Sequence, residues 1–399
     1  MRFELATLAA LLPLALSAPV ASPAPVILPR DGIAIPGKYI VKLKNEALED
    51  LVELALKRLA KGPEAKFGFG NFKGFSAEMD DKIVDFIRKL PFVEYIEQDA
   101  YVTASFMEEE GMQKKAITTQ TGAPWGLGRI SNRARGSTTY RYDTTAGAGT
   151  CVYVIDTGIY AAHSDFEGRA QQLVNYASGS NTDGNGHGTH CAGTVGGKTY
   201  GVAKKASLLG IKVLGADGSG TNSGVISGIQ YAVSDSRTRN CPNGAVGSMS
   251  LGGGKSTAVN SAVANAVAGG LFMAVAAGNE NQNAANVSPA SEPTVFTVGA
   301  TDSSDRKASF SNYGAVVDIH APGVSILSTW IGGTTRTNTI SGTSMATPHV
   351  AGLAAYILGL EGKRTPSALG SRLIALAQTN VITGLVSGTP NRLAFNGAS

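Results

Sequence analysis

The sequence predicts a mostly parallel α/β domain preceded by a small α+β module, and three observations predict it. From Ala116 onward, apolar segments of strand length alternate with helical ones in a chain rich in Gly, Ala and Ser. Over residues 38–102 the order is instead β-α-β-β-α-β. A charged stretch, residues 104–117, separates the two textures. With 399 residues, 43% hydrophobic and 16% charged, the chain has apolar content for a large core and a smaller second one.

Residues 1–17 come first, with Arg2 ahead of an apolar run and the small residues Ala15 and Ser17 at its end. That is the form of a secretory signal peptide, so a secreted, extracellular protein is expected. No later segment offers 18 consecutive apolar residues, and no membrane anchor is expected. The module follows as YIVKL, EDLVELALKRLA, FKGFSAEM, DKIVDFIRKL and VEYIEQDAYV, a ferredoxin-like outline. Leu51, Leu54, Leu56 and Leu59 mark one helix face, and Ile83, Phe86, Ile87 and Leu90 another. The linker carries Glu108, Glu109, Glu110, Gly111, Lys114 and Lys115; an exposed charged segment is where a processing protease reaches the backbone.

Past Ala116, CVYVIDTG reads as a buried strand ending in a turn, GTHCAGTVGG as a glycine-tolerant helix and SLLGIKVLG as a strand. SGVISGIQYAVSDS is helical; VGSMSLGGG, a helix through AVNSAVANAVAGG and the strands LFMAVAAGN and VFTVGAT follow. Strands alternating with helices imply a sheet covered on both faces, with functional side chains at the carboxyl ends of its strands.

Composition excludes several classes. The 50 glycines show no three-residue period, so collagen is excluded. Net charge is −2 over residues 1–115 and +6 from Ala116 onward, without a basic cluster interleaved with aromatics, so nucleic acid is not an expected partner. Three cysteines in an exported chain leave one thiol unpaired. Cys191, beside His190 in an apparent core helix, is the better candidate for the free one, leaving Cys151 with Cys241.

The chemistry rests on Asp156, His187 and Ser344 in that chain order. A serine hydroxyl is a weak nucleophile and needs an imidazole to take its proton and a carboxylate to orient that imidazole. Bland readings fare worse. Asp156-Thr157-Gly158 has no second copy, which an aspartic protease needs. His187-Gly188-Thr189-His190 lacks the glutamate of HExxH zinc sites. Ser344 sits near a G-x-S-x-G elbow, but α/β-hydrolases run Ser first and His last. His190 is read as a packed core histidine and His349 as a helix-start residue of packing value.

The segments DTGI, GHGTHCAGT, AAGN and SGTSMATPHVAG resemble, in order, the motif set of the subtilisin superfamily, and the chain is most similar to its fungal proteinase K-like branch. APWGL, YGVAKKA, SFSNYG and ILSTWIGG extend the resemblance through most of residues 116–399. It implies a subtilisin-like fold and a serine endopeptidase in which Ser344 attacks, His187 serves as base then acid, and Asp156 orients the imidazole. Asn279 becomes the side-chain oxyanion donor beside the Ser344 N–H. Gly218, Ser219 and Gly220, with Ser250, Leu251 and Gly252, become edges that pair with an extended peptide. Ala276, Ala277 and Gly278 line a pocket for bulky apolar or aromatic side chains, while Asn222 replaces an aromatic frequent in the branch. Asp318, with carbonyls of Pro293 and Val295, becomes one strong structural Ca²⁺ site, and no organic cofactor is expected. Residues 18–115 become a propeptide, with an inhibitory domain at about residues 37–103, cut after Lys115; residues 116–399 become the peptidase. Expected partners are protein and peptide substrates and the chain's own propeptide, on a monomer. The rival is a secreted binding or structural protein on an inactive version of the same fold.

Overall fold

The computed structural model describes residues 22–29, 33–47, 49–104, 107–108 and 120–397. The expected signal peptide at residues 1–17 and the expected cut before Ala116 lie outside the described residues.

The larger unit is built on seven parallel strands, ordered in space Ala170–Asn175, Ser207–Lys212, Thr150–Asp156, Gly244–Met249, Phe272–Ala276, Phe296–Thr301 and Ile319–Pro322. The short pair Gln378–Thr379 and Arg392–Leu393 closes one edge. Every residue of Thr150–Asp156 is buried. Its Val152 and Val154 pack toward helices His187–Gly196 and Thr343–Glu361. Its Cys151, Tyr153 and Ile155 pack toward helices Asn222–Thr238 and Thr257–Ala268. Alternating side chains on a strand buried on both faces explain why its sequence is apolar from Cys151 through Ile155. The chain winds to one side of this strand and later to the other, so the crevice of an open α/β sheet opens at its carboxyl end, at Asp156.

Two local features depart from simple periodicity. VGSMSLGGG splits: Gly244–Met249 stays in the central sheet, while Leu251–Gly254 leaves it and pairs elsewhere. Helix Thr343–Glu361 begins five residues ahead of Pro348, so His349 lies inside the helix rather than at its start. Proline is tolerated there because the carbonyl it leaves without an N–H, that of Ser344, accepts the Ser250 hydroxyl at 2.8 Å instead.

The smaller unit has strands Ala34–Leu43, Ala65–Phe69, Phe72–Glu78 and Val93–Ala104, all neighbours antiparallel, with helices Glu49–Leu56 and Asp81–Ile87. Numbered along the chain, the four strands lie in the order 4-1-3-2, the ferredoxin-like arrangement. One sheet face, with Val41, Phe75 and Ile96, covers Ala55, Leu56, Val84 and Ile87. The other, with Ile40, Phe67, Phe69 and Phe72, joins the core of the larger unit beneath helices Asn222–Thr238 and Thr257–Ala268. Backbone N–H groups of the hairpin tip seal the contact, Gly68 donating to Gln230 Oε1 at 3.1 Å and Asn71 to Asn265 Oδ1 at 2.8 Å.

Val93–Ala104 then runs on over the larger unit. Glu97 accepts the Ser256 hydroxyl and the Ala258 N–H at the start of one of those helices. Asp99 accepts the hydroxyl and N–H of Ser223 at the start of the other. Each carboxylate thus meets a helix N-terminus, where unpaired N–H groups and the helix dipole favour it. Among the described residues, no helix is long and apolar enough to cross a membrane.

Candidate active site

The strand, the helix starts and the crevice bring the three sequence-predicted residues together. Asp156 ends its strand, His187 opens one helix and Ser344 is the second residue of another. All three are fully buried. Asp156 Oδ1 lies 2.7 Å from His187 Nδ1 and also accepts the Thr157 N–H at 2.7 Å. Burial, the largest single influence, would lower the His187 pKa; the charge of Asp156, Cys191 and the hydrogen bonds to both together hold the imidazole well above its ordinary value. The Ser344 hydroxyl donates to the Ser250 carbonyl at 3.0 Å, reciprocating the bond from Ser250 Oγ to the Ser344 carbonyl. Ser250 therefore clamps the nucleophile candidate at both its hydroxyl and its carbonyl.

Asn279 follows Phe272–Ala276 through Gly278, whose φ of +98° suits glycine and whose added Cβ would lie 2.4 Å from Asn312 Nδ2. Its Oδ1 accepts both the N–H and the hydroxyl of Thr343, at 2.9 and 2.8 Å. The carbonyl end of the amide is thereby anchored against the start of the Ser344 helix. Thr343, whose hydroxyl also accepts the Gly278 N–H, is a positioning residue that motif reading passed over. Its place directly before the serine was the available signal.

The two glycine-rich edges carry an extended chain, supplied by this protein's own strand. Ser219, Gly220 and Thr221 pair antiparallel with Thr103, Val102 and Tyr101, while Leu251 and Gly252 pair with Ala104 and Thr103. Gly218 stands outside the ladder, at the positive-φ corner of the preceding turn, and Ser250 faces Ser344. Thr221 takes the place in the ladder that sequence reading assigned to Gly218. Farther on, Met107–Glu108 pairs with Ser341 and Ile340. Ala276, Ala277 and Gly278 sit buried at the end of their strand, contributing little side-chain bulk.

His190 and His349 are packing residues. His190 Nε2 bonds the Ile326 carbonyl, and burial pushes its pKa down to about 3; His349 Nδ1 bonds the Met345 carbonyl, and burial pushes it to about 4. Cys151 and Cys241 are bridged, and Cys191 is a buried free thiol 4.0 Å from His187 Nδ1. Asp156, His187 and Cys191 are the one group of three potential metal ligands among the described residues, but the first two are already hydrogen-bonded to each other. The Asp318 region fits a hard cation better. Burial pushes that carboxyl up to about 6, and its Oδ2 accepts the N–H of Thr297, two residues after Val295, at 2.7 Å. A buried carboxylate is a hard oxygen donor of the kind Ca²⁺ takes.

A doubly wound sheet that delivers Asp, His and Ser to one crevice defines the class, a serine hydrolase of α/β architecture. The chain belongs to the subtilase family, Peptidase S8, whose model matches residues 147–393, and it is a serine protease. It is 60% identical, over 99% of each chain, to the subtilisin-like serine protease AsES of Sarocladium strictum. It is 54% identical to a cuticle-degrading protease of Metarhizium anisopliae, over 99% of this chain and 100% of that one. The crystal structure of a cold-adapted subtilisin-like serine proteinase matches with a TM-score of 0.65 and 45% identity, covering 69% of this chain and 98% of that one.

Proposed function

We propose that the protein is an exported endopeptidase of broad specificity, made as a zymogen, with Asp156, His187 and Ser344 as its triad. The carrying observation is the buried 2.7 Å contact of Asp156 with His187 at the mouth of a groove whose glycine edges hold an extended strand. Released from Ser250, the Ser344 hydroxyl attacks the scissile carbonyl while His187 takes its proton and Asp156 stabilises the imidazolium. The Asn279 NH₂ and the Ser344 N–H, at a helix start, receive the negative charge on the carbonyl oxygen. His187 gives its proton to the leaving amine as the carbon–nitrogen bond breaks, and water, deprotonated by His187 in turn, hydrolyses the acyl-enzyme to release the acid and restore the Ser344 hydroxyl. Small residues at Ala276, Ala277 and Gly278 leave room for a bulky apolar or aromatic side chain before the cleaved bond.

The smaller unit is read as the inhibitory part of a propeptide spanning residues 18–115. Ala104 pairs with Leu251 and Met107 with Ser341, which supports a first cut near this stretch. A second trimming then yields the start at Ala116. Asp318 with the Pro293 and Val295 carbonyls would hold Ca²⁺, which ties two strand ends together and adds stability rather than chemistry. Export follows from the leader, and the enzyme acts alone on protein substrates. A peptide-library digest tests the specificity: enrichment of large apolar and aromatic residues before the cleaved bond is expected, and a requirement for a basic or acidic residue there contradicts it.

A further inference from the structure

Beneath the Asp156 and His187 pair lies a carboxylate that takes no part in the steps above. Asp183 is 5% exposed, and its two oxygens accept five hydrogen bonds. Oδ1 accepts the Thr157 hydroxyl at 2.9 Å and the N–H groups of Asn185 and Gly186 at 3.0 and 2.9 Å. Oδ2 accepts the N–H and the hydroxyl of Thr189, at 3.0 and 2.5 Å. These donors belong to two different pieces of chain. Thr157 follows Asp156 and gives its own N–H to the Asp156 carboxylate. Gly186 and Thr189 bracket His187.

The clamp closes from both sides. The Thr157 hydroxyl, donating to Asp183, accepts the Gly188 N–H at 2.9 Å, so both neighbours of His187 in sequence are tied down, Gly186 to Asp183 and Gly188 to Thr157. A Cβ at Gly188 would lie 2.2 Å from the Gly158 carbonyl, so the two turns meet backbone to backbone. Helix His187–Gly196 has no side-chain cap from its own N-cap residue, Gly186, and Asp183 supplies the acceptor. The buried Lys212 ammonium donates to the Thr157 carbonyl at 2.9 Å and to that of Leu214, bringing a positive charge under the same turn.

We propose that Asp183 is a positioning residue for catalysis, locking the His187 helix to the Asp156 turn so that the pair keeps its contact through turnover. The inference rests on the triad reading above. Both Asp183 oxygens only accept, so an amide in its place turns an NH₂ against N–H groups that need an acceptor. The pair then loosens, although the substrate edges Ser219–Thr221 and Leu251–Gly254, which Asp183 does not touch, stay as they are. Misplacement of a catalytic group by an ångström costs about 10²-fold in rate.

The test compares the mature secreted enzyme with its Asp183→Asn, Thr157→Val and Thr157→Ser forms, with fluorophosphonate labelling and thermal midpoints measured alongside. Asp183→Asn is expected to lower kcat by about 10–100-fold with KM within about threefold. The titratable groups facing His187 are Asp156 at 2.7 Å, Cys191 at 4.0 Å and His190 on the same helix. Loosening the first weakens the charge that favours imidazolium, so the acid limb of kcat/KM moves to lower pH. Thr157→Val moves both readouts the same way, and Thr157→Ser restores them. Unchanged kcat and acid limb in Asp183→Asn, whatever its thermal midpoint, overturn the proposal; if that variant is not secreted, an unchanged Thr157→Val overturns it. Failure of the wild type to label overturns the triad reading instead.

Discussion

Thr343 anchors the carbonyl of the Asn279 amide through its N–H and its hydroxyl, and on the proposed mechanism that amide receives the negative charge. Asn279→Ala removes one donor and, as in related enzymes, is expected to lower kcat by about 10²–10³-fold with little change in KM. Thr343→Val removes one of the two bonds that anchor the amide, leaving the backbone one, and is expected to give a smaller loss in the same direction, which Thr343→Ser recovers; steady-state kinetics check both. Asp156 and Cys191, acting together against burial, raise the His187 pKa above its ordinary 6.5. Because the base must be neutral, kcat/KM is expected to climb with pH through a limb above that value, and a limb below it contradicts the assignment. The principal residues were legible because each stands in a motif whose chemistry requires it. Thr343 and Asp183 were less so, since a threonine beside a serine in a first helical turn and an aspartate in a glycine-rich loop read equally well as ordinary capping and turn residues.

At the scale of elements, Val93–Ala104 does three jobs along its length: its first half completes the small sheet, Glu97 and Asp99 cap two helices, and its end fills the groove. Replacing both carboxylates by alanine strips acceptors from two helix starts and is expected to weaken docking by about 1 kcal/mol per cap, read as faster appearance of activity after the first cut. Burial raises the pKa of Glu97 and of Asp99 despite their hydrogen bonds. A docked state with raised carboxyl pKa values binds protons that the free state releases. Docking is therefore strongest below the ordinary carboxylate range and weakens as pH rises through the raised values. Release measured across pH 4 to about 7 is expected to accelerate upward; acceleration downward contradicts this sign. The β-α-β-β-α-β order of the small unit was legible from its periodicity. Its docking face was not, because Phe67, Phe69 and Phe72 look like any strand face until two helices are found against them.

For the molecule as a whole, the Cys151–Cys241 bridge spans 90 residues and ties the central strand to the loop after helix Asn222–Thr238. On a chain-entropy account its loss costs about 4–5 kcal/mol, so a double serine variant is expected to melt well below the wild type. Removal of calcium by chelation is expected to lower the melting point by roughly 5–10 °C, and Asp318→Asn to abolish that dependence. The parallel architecture was legible because doubly covered strands are apolar throughout; the splitting at Ser250 was not, since it answers to Ser344, far away in sequence. The most direct test of the central claim is the intact mass of the secreted protein, with and without a fluorophosphonate, beside Ser344→Ala. One adduct on a wild type trimmed to Ala116, with an uncut and unlabelled variant, is the predicted result. A folded wild type free of the smaller unit that takes no adduct would contradict it.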